Sequence, residues 1–126
     1  MKVAIIGSRK RSFINKIKIN EKTKKEVEDL VDWLQDYDVV VSGGCRGVDS
    51  WAISRAIRRG LVTEVYFPNI KKDMSYGEMV EEYYKRNKKV VDASDIVFAF
   101  PINENEGGTG QAIEYAREKG KQVILK

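Results

Sequence analysis

The chain has 126 residues, which suits one domain over residues 1–126 and leaves no room for a second. Apolar residues make up 42% and charged residues 33%, so a core lies under a well-solvated surface and global disorder is excluded. A net charge of +4 welcomes phosphate-bearing ligands without marking a nucleic-acid binder. A single cysteine, Cys45, excludes an intramolecular disulfide and a cysteine-held zinc site. The absence of histidine removes Ser-His and Cys-His catalysis, so any general acid or base is a carboxylate, a lysine or a tyrosine. The N-terminus opens on a strand-like run with no secretory signal, and no apolar stretch reaches membrane-spanning length. The expectation is a cytoplasmic protein without a membrane partner.

In chain order, five short apolar runs alternate with amphipathic stretches, the pattern of βα units and a mainly parallel sheet. The predicted strands are Val3–Ile6, Val39–Val41, Val65–Phe67, Ile96–Phe100 and Val123–Leu125. They are β-branched or aromatic and nearly continuous, as expected of strands covered on both faces. A long basic loop follows the first strand, from Ser8 to about Lys22, with Arg9, Lys10, Arg11, Lys16, Lys18 and Lys22 against one acid, Glu21. It reads either as a solvated lysine-rich loop or as a phosphate-attracting lid.

Val27, Leu30, Val31 and Leu34 then recur at helical spacing, as do Val48, Ala52, Ile53, Ala56 and Ile57 before Gly60, which sits where a left-handed cap belongs. A second surplus loop runs from Pro68 to about Ser75, before a helix from about Tyr76 to Val91. The last predicted helix carries Ala112, Ile113 and Ala116, with Thr109 as its N-cap and Gly120 as its C-terminal stop. There is no internal repeat, low-complexity segment or linker.

In an open parallel sheet, ligands bind outside the carboxyl ends of the strands, where the strand order reverses. After the first strand comes Gly7-Ser8-Arg9. After the second comes Ser42-Gly43-Gly44-Cys45-Arg46-Gly47-Val48-Asp49, and after the fourth a loop ending Gly107-Gly108-Thr109-Gly110. The last two turns lead straight into helices. Glycines let backbone N–H groups approach a ligand closely, and a helix N-terminus adds a positive dipole aimed at an anion. No G-x-x-x-x-G-K-[ST] run is present, which excludes a P-loop NTPase. No G-x-G-x-x-G follows the first strand, so a dehydrogenase fingerprint is missing too.

These runs, with Arg86-Asn87, Ala93-Ser94-Asp95 before a strand and Gly107-Gly108-Thr109 before a helix, resemble the SLOG superfamily. That group includes DprA/Smf, the LOG-type phosphoribohydrolases and YspA/YpsA-like proteins, and the SGG-x-RG-x-D form looks closest to the YspA-like branch. The match covers nearly the whole chain. The resemblance implies one Rossmann-like three-layer α/β domain with a five-stranded, mainly parallel sheet in strand order 3-2-1-4-5. It implies a nucleotide or nucleotide-derived ligand at the strand ends. Gly7, Ser8 and Arg9 would line one side. Ser42, Gly43, Gly44, Arg46 and Gly47 would cradle phosphate, and Gly107, Gly108 and Thr109 would do so from the facing turn. Asp49 would meet ribose or fix its loop, and Asn87 would join the site beside Arg86.

Phosphoribohydrolases of this superfamily place a glutamate three residues after the threonine of G-G-x-G-T. Here that residue is Ala112, and the nearest acid, Glu114, is rotated by about 200° on a helix. Glu104, Glu106 or Glu78 would have to replace it, with Arg86 and Glu106 as the expected catalytic pair. Binding as a sensor or module is therefore the first expectation and N-glycosidic hydrolysis the second. Single-stranded DNA binding through the basic loop is the third, since Phe13 is the only ring there. No metal site and no certain cofactor are expected. The resemblance also implies a homodimer. Cys45 reads as a small space-filler, and Trp33, Trp51, Tyr76, Tyr83 and Tyr84 as packing residues, the tyrosines with base stacking as the alternative.

Overall fold

Along Lys2–Gly7 (β1), successive side chains point to opposite faces, and both faces are apolar. Val3 and Ile5 enter one core and Ala4 and Ile6 the other, with Ala4 and Ile5 fully buried. A strand greasy on both sides belongs at the centre of a parallel sheet. In the computed structural model, which describes residues 1–126, β1 holds that place. Four further parallel strands flank it: Val39–Ser42 (β2), Val62–Val65 (β3), Ile96–Phe100 (β4) and Gln122–Leu125 (β5). The order is β3-β2-β1-β4-β5, as expected. Val3 pairs with Val40 on one side and Ile96 on the other, and Gly7 ends opposite Phe100.

Glu21–Trp33 (α2, after a short turn of helix α1 at Arg9–Ser12) and Val48–Arg58 (α3) cover one face of the sheet. Their Val27, Val31, Val48, Ala52 and Ala56 close on Val3, Ile5, Val40 and Phe100. Tyr76–Asp92 (α4) and Gly107–Glu118 (α5) cover the other, where Val90, Val91, Ala112, Ile113 and Ala116 close on Ala4, Ile6, Val41 and Val97. The result is a three-layer α/β sandwich. No helix is long and apolar enough to cross a membrane.

Three expectations needed correction. The third strand lies at Val62–Val65, not Val65–Phe67. As an edge strand it carries polar Thr63 and Glu64, and Glu64 forms an ion pair with Lys2, so an apolar run was the wrong signal. Helix α5 begins at Gly107 with Glu106 at the N-cap, which places Thr109 inside the first turn. The basic loop contains α1, a Phe13–Ile19 antiparallel bridge and the first two residues of α2, Glu21 and Lys22.

Ser12, fully buried, anchors that loop. Its hydroxyl donates to the Ser8 carbonyl (2.9 Å) and accepts the Val48 amide (3.3 Å), an orphan donor at the start of α3. Ser12→Ala leaves that amide unpaired and should cost about 1–3 kcal/mol in urea unfolding. Ser54→Ala, on the exposed side of α3, should change stability by less than about 0.5 kcal/mol.

Candidate functional site

The strand order reverses between β1 and β4, so the crevice beyond Gly7 and Phe100 is the topological switch point. The Ser8 amide donates to the Phe100 carbonyl (3.0 Å) there, and the two chains then diverge. Between them opens a cavity of about 820 Å³, bounded by the turns after β1 and β2, one side of α4 from Tyr76 to Val90, the loop after β4 and the start of α5. Of the expected residues, Gly7, Ser8, Arg9, Gly43 and Asp49 line it from the sheet side. Arg86, Asn87, Glu106, Gly107, Gly108 and Thr109 line it from α4 and α5.

Ser42, Gly44, Arg46 and Gly47 fall outside the lining, against expectation. Ser42 is buried and donates to the Ile5 carbonyl (3.1 Å), tying β2 to β1. Arg46 turns away and stacks its guanidinium 5.1 Å from the Phe13 ring centre. Gly47 adopts φ +92°, a conformation that disfavours side chains, and a Cβ there would lie 2.5 Å from that of Ser12. It is a structural joint between the basic loop and α3.

Arg86 organises the floor. It is 6% exposed, and its guanidinium donates to the Gly43 carbonyl, the Asn87 Oδ1 (3.0 Å) and the Cys45 Sγ (3.2 Å). Asn87 in turn donates to the Gly108 carbonyl (3.1 Å). This chain of bonds joins the β2 turn to the α5 turn across the cavity. Gly43 is required by it, because a Cβ would stand 2.7 Å from the guanidinium carbon.

Asp49 lies beside this network, 6% exposed, with its carboxylate accepting the Cys45 amide (3.3 Å). Burial pushes its carboxyl up from 3.8 to about 6, against the opposing pull of Arg86 and the backbone of Cys45 and Gly43.

On the far side, Gly107, Gly108 and Thr109 occupy the first turn of α5, where amides have no intrahelical acceptor. Glu106 adds no side-chain cap bond, so these donors and the helix dipole face the cavity. Such a turn accommodates an anion.

Among the carboxylates considered as substitutes, Glu78 is engaged in a capping box with Ser75, and Glu104 pairs with Arg117 (3.5 Å). Glu106 alone of the three lines the cavity. Ala112, in place of the expected glutamate, does face it, whereas Glu114 is exposed elsewhere. Of the cations of the basic loop, only Arg9 and Lys10 reach the lining. Arg11 folds back onto the Pro101 carbonyl (3.3 Å) and Glu26 (3.1 Å).

Sequence reasoning missed Val80, Ile102 and Asn103, named Lys10 only as one cation of the basic loop, and preferred packing over base stacking for Tyr76, Tyr83 and Tyr84; all of them line the cavity. The spacing 76, 80, 83, 87 puts one stripe of α4 on that side, but a stripe alone does not reveal whether it faces a core or a void.

The raised carboxyl of Asp49 yields a pH test. Between about pH 4 and 6 the folded state keeps a proton that the unfolded state releases, so this group's contribution falls as pH rises and is lost above 6. Relative to Asp49→Asn, wild type should lose roughly 2 kcal/mol between pH 4 and pH 7 in urea titrations, since each unit is worth about 1.4 kcal/mol and pH 4 already lies above the unfolded value.

No protein-family model matches the chain, and no curated protein matches it. Among solved structures, the C-terminal domain of a hydrogenase from Pyrococcus furiosus, in two structures, is 11% and 12% identical with TM-scores of 0.49 and 0.50. It covers 99% of this chain and 90% of that domain. DNA processing protein A (DprA) from Streptococcus pneumoniae superposes with a TM-score of 0.77 at 21% identity, over 98% of this chain and 49% of that one. The chain thus spans about half the length of DprA and has its Rossmann-type fold.

Proposed function

We propose that this chain is a binding module for a nucleotide or nucleotide-derived phosphate ligand, held at the carboxyl ends of β1, β2 and β4. One observation carries the reading: three separate turns, at Gly7–Arg9, Gly43 and Gly107–Thr109, converge on one cavity of about 820 Å³. That size lies within the range of small-molecule sites. Arg9 and Lys10 add positive charge at its edge, and the first turn of α5 adds unpaired amides. The motif resemblance to the SLOG superfamily, in its YspA-like branch, supports the same reading. A homodimer belongs to the proposal, on the strength of Trp33, 68% exposed beside an apolar groove of Leu30, Phe98 and Ile124.

The test is a thermal-shift screen across nucleoside monophosphates, ADP-ribose and dinucleotides. A ligand at a hundred times its Kd adds about 2.7 kcal/mol to folding, a shift of several degrees in Tm. Arg9→Ala should reduce that shift. A flat response across the whole panel overturns the reading.

Two further readings rest on specific observations. N-glycosidic hydrolysis is favoured by Arg86 and Glu106 lining one cavity, and it predicts free base from nucleoside monophosphates, lost in Arg86→Ala. The absence of a carboxylate at Ala112 speaks against it, as does the engagement of Arg86 with Gly43, Cys45 and Asn87. Single-stranded DNA binding is favoured by the fold shared with DprA, whose name declares a DNA-processing role. It predicts oligonucleotide affinity that falls steeply with salt.

A further inference from the structure

Helix α4 has two halves of different character. Its buried residues, Arg86, Val90 and Val91, all lie in the second half, and the segment 76–85 overhangs the carboxyl ends of the strands. An overhanging amphipathic segment normally keeps its apolar side against a core. Here Glu78, Glu81 and Lys85 lie in solvent, while Tyr76, Val80, Tyr83 and Tyr84 line the cavity instead. Tyr76 is 80% exposed, and Tyr83 and Tyr84 keep more than a third of their surface, 38% and 37%, free of protein partners.

The rings stand in a defined relation to the anion-accepting turn. Asn87 donates to the Gly108 carbonyl (3.1 Å), fixing the point where α4 meets the start of α5. Tyr83 precedes Asn87 by one helical turn, about 6 Å along the axis. The Arg86 guanidinium lies 5.6 Å from the Tyr83 ring centre, which fixes that ring in place.

We infer that Tyr83 and Tyr84, with Tyr76 at the outer edge, form a stacking subsite for a nucleobase whose phosphate sits at the Gly107–Thr109 turn. This rests on the nucleotide reading above and adds which end of the cavity takes the base. Aromatic stacking is tolerant of base identity, since every base has a π-face. The subsite thus selects base-bearing phosphates over bare sugar phosphates and discriminates weakly among bases.

Titration calorimetry with the four nucleoside monophosphates, ribose 5-phosphate and inorganic phosphate tests it. Wild type should bind all four nucleotides within a small factor of one another and roughly ten- to hundredfold more tightly than ribose 5-phosphate. The Tyr83→Leu/Tyr84→Leu variant should lose that advantage while keeping its ribose 5-phosphate affinity, and Tyr76→Leu should lose part of it. Unchanged circular dichroism and Tm confirm that the variants fold; if the double variant does not, Tyr76→Leu alone decides. Ribose 5-phosphate binding as tightly as the nucleotides, or nucleotide affinity unmoved in the variants, overturns the base subsite and leaves the phosphate reading standing. Variants that only convert a dimer to monomers in sedimentation assign the rings to an interface and overturn it as well. Silence from every probe overturns both readings together.

Discussion

A buried guanidinium without partners would be intolerable in this fold, and satisfying Arg86 dictates how the cavity is built. Desolvating a charge costs several kcal/mol unless hydrogen bonds and opposite charge replace water. Arg86 obtains the Gly43 carbonyl from the β2 turn, Asn87 from its own helix, the Cys45 sulfur and the neighbouring field of Asp49. Meeting those demands brings α4 against the end of β2 and forces glycine at position 43. Asn87 then carries the linkage to Gly108. Three elements far apart in sequence are thereby held at fixed separation around one void.

The void follows from the same arrangement. Layers in this fold are filled wherever helices lie over strands, as the two apolar clusters show. At the strand ends there is no sheet left to cover, and chain connections diverge on either side of the β1–β4 boundary. Ala112 keeps the first part of α5 small where a longer side chain would intrude, and Gly7 admits the start of α3, with Val48 atoms where a Cβ would otherwise lie. The small residues shape the cavity as much as the polar ones furnish it.

The basic loop illustrates how charge counts mislead when geometry is missing. Of its cations, Arg11 is folded inward against Phe100, with its guanidinium 5.3 Å from the ring centre, and Lys16, Lys18 and Lys22 are directed to solvent. Only Arg9 and Lys10 meet the cavity. Ser12, a residue with no distinguishing sequence signal, holds the loop by capping α3.

Local physics in the sequence was enough to determine the five-stranded α/β architecture, most strand and helix positions, and the turns of interest. Periodicity in side-chain polarity and the punctuation by glycine depend on neighbouring residues only, so they are legible in one dimension. The edge strand β3 escaped because its pairing with β2, rather than its own polarity, makes it a strand. Tertiary structure alone decided which glycines meet the cavity and which are joints, since Gly43 and Gly47 sit in the same turn and differ in backbone conformation and in what approaches them. It also decided that the α4 tyrosines face a void. A stripe on a helix states that one side is special, and only the placement of the neighbouring elements determines whether that side meets a core, a partner or a ligand.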